Sequence, residues 1–261
     1  RRSARSRPVL APSRPWRQSV AVHRIRHPRP HRSAWRSTRP LEHWLHNLLD
    51  GRCRFCAARS LRHPLCAGCR EDLPWITAAC RRCALPLANG AGQCAGCLSN
   101  PPPFDRTHAL WTYTHGVDRL IRAFKLREDF SAGRLLTSLA ANAMRERKKP
   151  CHGPLLPMPL HPKRYRQRGF NQSALIAGWL GPPVITRLVH RRRHTPPQRG
   201  LDAAARQRNL EGAFRLQCPP PRSVVLVDDV LTTGASLAEL ANCLRAGGTE
   251  RIEVIVLARA I

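Results

Sequence analysis

Acidic residues are scarce in this chain. It has 16 Asp and Glu against 45 Lys and Arg, which gives a formal net charge of +29. Residues 1–40 alone contain twelve arginines and no acid. Such a surplus suits a polyanionic partner, because phosphates that are neutralised by protein cations release their counterions. A solvated basic surface without a specific partner is the alternative interpretation.

Long apolar runs are also absent. No stretch approaches the roughly 20 consecutive apolar residues that span a bilayer, so we expect no membrane span. No apolar segment of the signal-peptide type follows the basic residues at the start. Because nothing in the sequence directs export, the expected location is cytoplasmic.

Aromatic residues make up only 5% of the chain and show no stacking pattern. Single-stranded nucleic acid is commonly bound by stacking its bases on aromatic side chains, so this scarcity weighs against such a platform. Residues 1–40 have little apolar periodicity, and we expect them to be disordered. Residues 41–50 place four leucines and a tryptophan at helical spacing, which predicts a short amphipathic helix.

From about residue 104 to the end, strand-like runs alternate with helical patterns. The predicted strands lie at 109–114, 154–160, 223–228 and 252–258, and the predicted helices lie near 116–126, 131–146, 171–180 and 234–246. This alternation is typical of an α/β fold with a parallel sheet flanked by helices. The stretch 184–212 is polar, basic and interrupted by proline, so we expect a mobile loop there with a short helix near 201–209.

Eight of the eleven cysteines form four C-x2-C pairs between residues 53 and 97. Each pair can place two thiolates on one metal ion, and two pairs complete a structural zinc site. We therefore predict about two zinc ions, with the ligands Cys53, Cys56, Cys66, Cys69, Cys80, Cys83, Cys94 and Cys97. Sequential pairing closes the shortest loops and puts the first four cysteines on one ion. A cross-braced pairing is the alternative.

Other cysteine chemistries fit this pattern less well. A disulfide framework needs an oxidising compartment, for which the chain shows no export signal. Catalytic zinc keeps an open position, which four cysteines do not leave. Redox C-x2-C chemistry uses one pair of low pKa, not four pairs in series. The metal is therefore expected to fold a segment that is too small for a core of its own. Cys151, Cys218 and Cys243 are expected to be ordinary small residues.

The most informative stretch is 224–236, with the sequence VVLVDDVLTTGAS. An apolar strand ends at Asp228 and Asp229, and a Thr-Thr-Gly turn then opens a helix. At the carboxyl end of a parallel strand, such a turn directs N–H groups and hydroxyls at an anion. The two acids can accept hydrogen bonds from the 2′- and 3′-hydroxyls of a ribose whose phosphate lies in the turn. A buried strand followed by an ordinary capped helix is the alternative.

A basic segment at 159–172, which we expect to be a loop, follows the second predicted strand and leads into a helix. Its five Lys, Arg and His side chains suit a pyrophosphate, with Arg164 and Arg168 able to bind it bidentately. Gly169 and Asn171 fit the turn into the next helix. A solvated basic surface is the alternative.

Together these segments resemble the ComF family (ComF/GntX type), whose members join a double zinc ribbon to a type I phosphoribosyltransferase domain. Three runs occur here in the family's order: P-L-H-x-x-R…R-G-F-N-Q at 159–172, T-x-x-Q…R-x-x-N-x-x-x-A-F at 195–214, and the motif for 5-phosphoribosyl-1-pyrophosphate (PRPP) at 224–236. The resemblance covers residues 41–261. It implies a zinc module at 41–103 and a phosphoribosyltransferase-like domain at 104–261, and the segment expected to be disordered, 1–40, lies outside it.

The resemblance also implies site residues. Ribose and its phosphate would be bound by Asp228, Asp229, Thr232, Thr233, Gly234, Ala235 and Ser236, and the pyrophosphate by Lys163, Arg164 and Arg168. Mg²⁺ would be bound together with PRPP. Residues 195–209 would form a flexible flap, for which an unstructured connection is the alternative.

The implied reaction is displacement of pyrophosphate from the anomeric carbon of PRPP, and the family is associated with uptake of transforming DNA. No motif in the chain identifies the acceptor, so whether the protein is an enzyme stays open. One alternative is a non-catalytic factor that binds single-stranded DNA and uses the pocket to sense a nucleotide. Another is a biosynthetic transferase that depends on PRPP.

Overall fold

A computed structural model of the chain describes residues 51–61, 63–88, 92–147, 152–181, 183–193 and 212–261. The predictions for residues 1–50, for Cys151, and for the helix and flap between 195 and 209 lie outside these ranges. Within them, none of the helices combines the length and apolar character that crossing a bilayer requires.

Helices and strands alternate along most of the described chain. The helices are α1 (Ala67–Glu71), α2 (Ala95–Ser99), α3 (Val117–Arg127), α4 (Phe130–Glu146), α5 (Pro162–Arg168), α6 (Gln172–Leu180) and α7 (Ala235–Ala246). The strands are β1 (Arg106–Thr112), β2 (Leu155–Pro157), β3 (Val189–Arg191), β4 (Phe214–Leu216), β5 (Ser223–Leu231) and β6 (Arg251–Arg259). The longer helices and the four strands of the main sheet overlap the predicted ones.

Four strands form a parallel sheet in the order β1-β6-β5-β2. The central strand β5 alternates between the two faces because successive side chains of a strand point to opposite sides. Val225 and Val227 belong to one buried cluster with α3, α4 and α6. Val224 and Leu226 belong to a second cluster with α7 and the β3–β4 hairpin. The predicted α/β fold, a parallel sheet with helices on both faces, is confirmed.

Local sequence explains where the helices begin and end. In α3, Val117, Leu120, Ile121 and Phe124 are buried at the spacing of one helical face. Asp129 is the N-cap of α4, and its side chain accepts a hydrogen bond from the Ala132 amide at 3.0 Å. Such N-caps satisfy backbone donors that a helix leaves without partners. The α3–α4 hairpin therefore covers one face of the sheet.

Two expectations for the sequence between β2 and β5 were wrong. The basic segment expected as a loop contains α5, because Pro162 fits the first position of a helix and the side chain of His161 accepts from the Lys163 amide at 3.2 Å. The stretch 184–212, expected as a loop, includes β3, which pairs antiparallel with β4. Three-residue strands are too short to give a periodic signal.

The cysteine-rich segment consists of two structural repeats. Each begins with a C-x2-C turn whose following alanine has positive φ, 59° at Ala57 and 55° at Ala84. Each then continues into a short helix, α1 or α2, that starts directly after the third cysteine of its repeat. The chain between the repeats adds to the edge of β1, where the Ile76 amide donates to Leu110 O at 2.8 Å. The segment therefore packs on the sheet that carries the rest of the fold.

Candidate functional site

The eight cysteines of the C-x2-C pairs form two tetrads. Cys53, Cys56, Cys66 and Cys69 form the first, and Cys80, Cys83, Cys94 and Cys97 form the second, with the sulfur atoms of each within 4.8 Å of one another. This grouping is the sequential one that the sequence analysis favoured. Cys56 and Cys66 Sγ are 3.7 Å apart and Cys83 and Cys94 Sγ 3.6 Å apart. A tetrahedron with zinc–sulfur bonds of about 2.3 Å has edges of about 3.8 Å, so both tetrads suit structural zinc.

The backbone of each C-x2-C turn favours a thiolate. Burial acts to raise the pKa of the Cys53 thiol, but hydrogen bonds from the amides of Cys56, Cys66 and Phe55 outweigh it and lower that pKa to about 6. The Cys80 thiol has the same environment, and its pKa is also lowered to about 6. In contrast, the hydrogen bond with Cys56 raises the pKa of the Cys69 thiol, and burial raises the pKa of the Cys83 and Cys97 thiols. The backbone therefore favours the zinc-binding thiolate form at Cys53 and Cys80, and not at every ligand.

The acid pair lies inside β5 and not at its end, because the strand runs on to Leu231. Asp228 Oδ1 accepts from Ser173 Oγ at 2.8 Å and from the Asp229 amide at 2.9 Å. Burial, together with the charge of Asp229, raises the pKa of the Asp228 carboxyl to about 6. Because the two carboxyl groups lie side by side, the ionised form of Asp228 is less favourable than it would be in water.

Asp229 turns towards helix α3. Its side chain is 3% exposed and its Oδ2 lies 2.8 Å from Lys125 Nζ, with Oδ1 at 3.2 Å. Burial acts to lower the pKa of Lys125, but the charge of Asp229 and their hydrogen bond outweigh it and raise that pKa. The ammonium group is therefore charged and fixed beside the acid pair, although sequence reasoning did not identify it.

The turn after β5 has the form of an anion site. Gly234 has φ +80° and precedes the first residue of α7, a conformation that L residues rarely adopt. Thr232 and Thr233 are exposed, and Ala235 and Ser236 form the first turn of α7. Among the described residues, the Ala235 amide has Thr233 Oγ1 as an acceptor at 3.5 Å, and the Ala238 amide donates to Gly234 O at 2.8 Å. Because the first amides of a helix have no acceptor within the helix, those of this turn can serve an external one.

The basic segment brings one of its three predicted residues, Arg168, within electrostatic range of the acids, and it places Arg164 near Arg168 and Arg191. Arg164 and Arg168 are one helical turn apart on α5, and the charges of Asp228 and Asp229 act on Arg168. Arg168 also donates to Gln172 at 2.7 Å. Lys163 is exposed on α5 and forms no ion pair with the acid pair among the described residues.

Arg191 on β3 is a further cation at this site. It is 7% exposed and lies over the ring of Phe214, with 5.5 Å between the guanidinium carbon and the ring centroid. Burial lowers its pKa, the charge of Arg164 lowers it further, and the charge of Asp228 acts in the opposite direction. Lys125, Arg168 and Arg191 therefore interact with the two carboxylates, and Arg164 lies near two of these cations. This leaves an excess of positive charge for an anionic ligand.

Searches for known relatives give a consistent set of proteins. No family model matches the chain. The chain is 35% identical over 228 residues to Competence protein F of Haemophilus influenzae, an alignment that covers 82% of this chain and 99% of that protein. It is 34% identical over 224 residues to the DNA utilization protein YhgH of Salmonella typhi, again with 82% and 99% covered. Competence protein ComFC of Bacillus subtilis is 26% identical over 195 residues, with 69% of this chain and 77% of that protein covered.

Proposed function

The chain belongs to the ComF family of competence proteins, and on that premise we propose that it binds PRPP at the end of β5 and acts in the uptake or use of DNA. The proposal for DNA follows the names of the relatives, which refer to competence and to DNA utilization. The proposal for PRPP rests on the residues of the site.

One observation carries the PRPP assignment. A buried parallel strand presents an acid pair and then passes into a turn with hydroxyls, a left-handed glycine and the N-terminus of a twelve-residue helix. A helix N-cap would explain one polar residue of this set. A sugar phosphate explains all of it, because its hydroxyls donate to carboxylates while its phosphate accepts from amides.

The two acids have different roles in this proposal. Oδ1 of Asp228 accepts hydrogen bonds from the Ser173 hydroxyl and the Asp229 amide. Its Oδ2 is the atom that accepts from a ribose hydroxyl in this proposal. Asp229 holds Lys125, whose ammonium group has three N–H donors. A carboxylate takes at most two of them, so one is left for a pyrophosphate oxygen. Arg164, Arg168 and Arg191 supply the remaining positive charge.

Mg²⁺ would be bound with PRPP as part of the substrate, and the oxygen donors of Asp228 and of the ligand fit its preference for oxygen. The metal would neutralise charge on the pyrophosphate. In the reaction that this site would support, the bond from the anomeric carbon to a pyrophosphate oxygen breaks and the pair of electrons leaves with the pyrophosphate. A bond from the acceptor to the same carbon forms, and the proton that the acceptor loses passes to water. Arg164 and Arg168 stabilise the charge that develops on the leaving group.

Fragments of PRPP test this assignment residue by residue. Ribose 5-phosphate and pyrophosphate are titrated separately by calorimetry into the wild type, Asp228→Asn and Arg168→Gln. Asp228→Asn should lower the affinity for ribose 5-phosphate by about tenfold or more, since a hydrogen bond to a charged group is lost. It should leave the affinity for pyrophosphate nearly unchanged. Arg168→Gln should do the reverse. Equal losses for both fragments in both variants would show that the residues do not divide the ligand in this way.

A second candidate function is binding of single-stranded DNA. The amino ends of β1 and β6 lie at the other end of the sheet from the proposed PRPP site. A cavity of about 440 Å³ at these strand ends is lined by four arginines and three acids. The three acids form ion pairs with other arginines, and Arg81 and Arg106 are not among them. The pairs are Asp105 with Arg245, Glu250 with Arg222, and Glu253 with Arg251. Arg81 and Arg106 also line a neighbouring cavity of about 240 Å³. These two exposed guanidinium groups suit successive backbone phosphates.

The salt dependence of binding tests this candidate. Log K for a labelled oligothymidine is measured against log salt concentration for the wild type and for the double variant Arg81→Gln, Arg106→Gln. Loss of two phosphate contacts should reduce the slope by about 1.4. The control is Arg119→Gln with Arg134→Gln, two exposed arginines on α3 and α4, which should leave the slope unchanged. An unchanged slope in the first variant would remove Arg81 and Arg106 from the DNA contact.

A further inference from the structure

Arg259, the last residue of β6, connects the second tetrad to the phosphate turn. Its Nε donates to Cys83 O at 3.0 Å. Its Nη1 donates to Leu231 O at 3.0 Å and to Thr232 O at 2.6 Å. Cys83 is a member of the tetrad, and Leu231 and Thr232 form the start of the turn. One side chain thus bonds the backbone of the proposed zinc site and the backbone of the proposed ligand site.

The base of this side chain is held rigidly. Arg259 pairs with Leu231 of β5 on one side and with Thr112 of β1 on the other. On the far side of the connection, Cys83 is fixed by its thiolate when a metal is bound, and Ala84 is 2% exposed in the same buried cluster as Leu231 and Leu237. The guanidinium therefore bridges two parts that each have a defined position.

The bond to Thr232 O sets the direction of the Thr233 amide. The bond to Leu231 O reinforces the direction of the Thr232 amide, because the Ala260 amide also donates to that oxygen, at 2.9 Å. A peptide group is planar and trans, so its N–H points opposite to its C=O. When Arg259 binds the carbonyls of Leu231 and Thr232, the amides of Thr232 and Thr233 point away from the guanidinium. A hydrogen bond from a charged donor also polarises the peptide group that accepts it, which strengthens the N–H as a donor.

We propose that Arg259 is a positioning residue through which the metal-bound second tetrad orients the phosphate turn. This rests on the proposed function in one respect, that the turn binds a sugar phosphate. The coupling is reciprocal by linkage: if the folded tetrad favours the bound form of the turn, a ligand in the turn favours retention of the metal. The zinc repeat is then part of the ligand site's support and not an independent appendage.

The first tetrad supplies a matched control. Arg54 lies in its C-x2-C turn, donates to Ser131 Oγ at 2.6 Å and forms an ion pair with Asp129. It therefore also connects a tetrad to the α/β part of the fold, but to the start of α4 and not to the phosphate turn. Replacing Arg54 should have a comparable structural cost without the effect on the turn.

Release of zinc to a chromogenic chelator is the first test. In equilibrium competition with the chelator, ribose 5-phosphate should raise the affinity for one of the two zinc ions by about fivefold or more, the lower range of allosteric coupling. Arg259→Met should abolish this increase, and Arg54→Met should retain it. Arg259→Met should also lower the affinity for ribose 5-phosphate by about fivefold and leave the affinity for pyrophosphate unchanged. General destabilisation of the protein would lower both affinities.

Amide hydrogen exchange separates failure of the coupling from failure of the proposed function. If ribose 5-phosphate binds the wild type but leaves the affinity for both zinc ions unchanged, the coupling is refuted and the ligand site stands. If ribose 5-phosphate does not bind, exchange at Thr232 and Thr233 decides the coupling alone. Cys94→Ser in the second tetrad should accelerate it, and Cys66→Ser in the first should not. Equal exchange in the two variants would refute the role of Arg259.

Discussion

Lys125 and Asp229 are 104 positions apart in sequence, yet their ammonium and carboxylate groups lie 2.8 Å apart beneath the proposed ligand site. The pair joins the helix that covers one face of the sheet to the strand that carries the acid pair. It also supplies a cation that the local sequence around the acids does not.

Removing one member of this pair should be costly. Lys125→Met leaves Asp229 buried and unpaired, which should lower the free energy of unfolding by about 3 kcal/mol. The double variant Lys125→Met, Asp229→Asn should recover most of that loss, because no uncompensated charge stays buried. Urea denaturation at pH 7 measures both. A double variant as unstable as the single one would show that packing, and not charge, is the main contribution.

The stability of the protein should depend on pH through Asp228. Its pKa is raised from 3.8 to about 6 in the folded state, so the folded chain holds this proton where the unfolded chain has lost it. The contribution of this group to stability is therefore largest below about pH 4 and falls as the pH rises to about 6. In Asp228→Asn this fall should be absent, a difference of about 3 kcal/mol between the two pH limits. Denaturation of both proteins from pH 4 to pH 7 measures it, and parallel curves would contradict the raised pKa.

Metal analysis should give about two zinc ions per chain in protein purified under reducing conditions without chelators. Cys94→Ser should retain about one, because the two tetrads do not share a cysteine. The expected physical consequence is a lower melting temperature, since the binding energy of structural zinc is also folding energy. A wild-type protein without zinc would contradict the assignment of both tetrads.

Two glycines with positive φ allow a matched test of the turn. Gly234 has φ +80° and a Cβ there would lie 3.2 Å from Leu231 Cδ1, whereas Gly248 has φ +99° and open space around it. Either Gly→Ala change should destabilise the protein by about 1 kcal/mol from backbone strain. Only Gly234→Ala should also weaken binding of ribose 5-phosphate. Equal affinities in the two variants would place the phosphate elsewhere.

The sequence predicted the parts of this protein that carry a local pattern. The apolar run at 223–228 predicts the buried strand, and the four C-x2-C pairs predict two tetrads. The spacing alone does not decide the pairing, but the observed sequential pairing was favoured because it closes the shortest loops. The basic segment was misjudged because its charges were given more weight than Pro162, which begins a helix. Charge alone does not distinguish a solvated loop from the exposed side of a helix.

The residues that sequence reasoning missed are brought to the site by tertiary contacts. In the sequence, Lys125 is one of several polar residues on an amphipathic helix, and nothing local distinguishes it from the others. Arg191 lies on a three-residue strand within a basic stretch. Arg259 is the last residue of an otherwise apolar strand. None of the three belongs to a motif, and their roles depend on strand order, which a single sequence does not specify. To predict a long-range ion pair, one must know which strands and helices are neighbours in the fold.

The proposed PRPP site is tested most directly by calorimetric titration of PRPP with Mg²⁺ into the wild type and into the double variant Asp228→Asn, Asp229→Asn, which keeps the shape of both side chains. We expect the wild type to bind one PRPP per chain and the variant to lose at least about tenfold in affinity, with the same far-ultraviolet circular dichroism. Equal affinity in the two proteins would show that the acid pair does not contact the ligand.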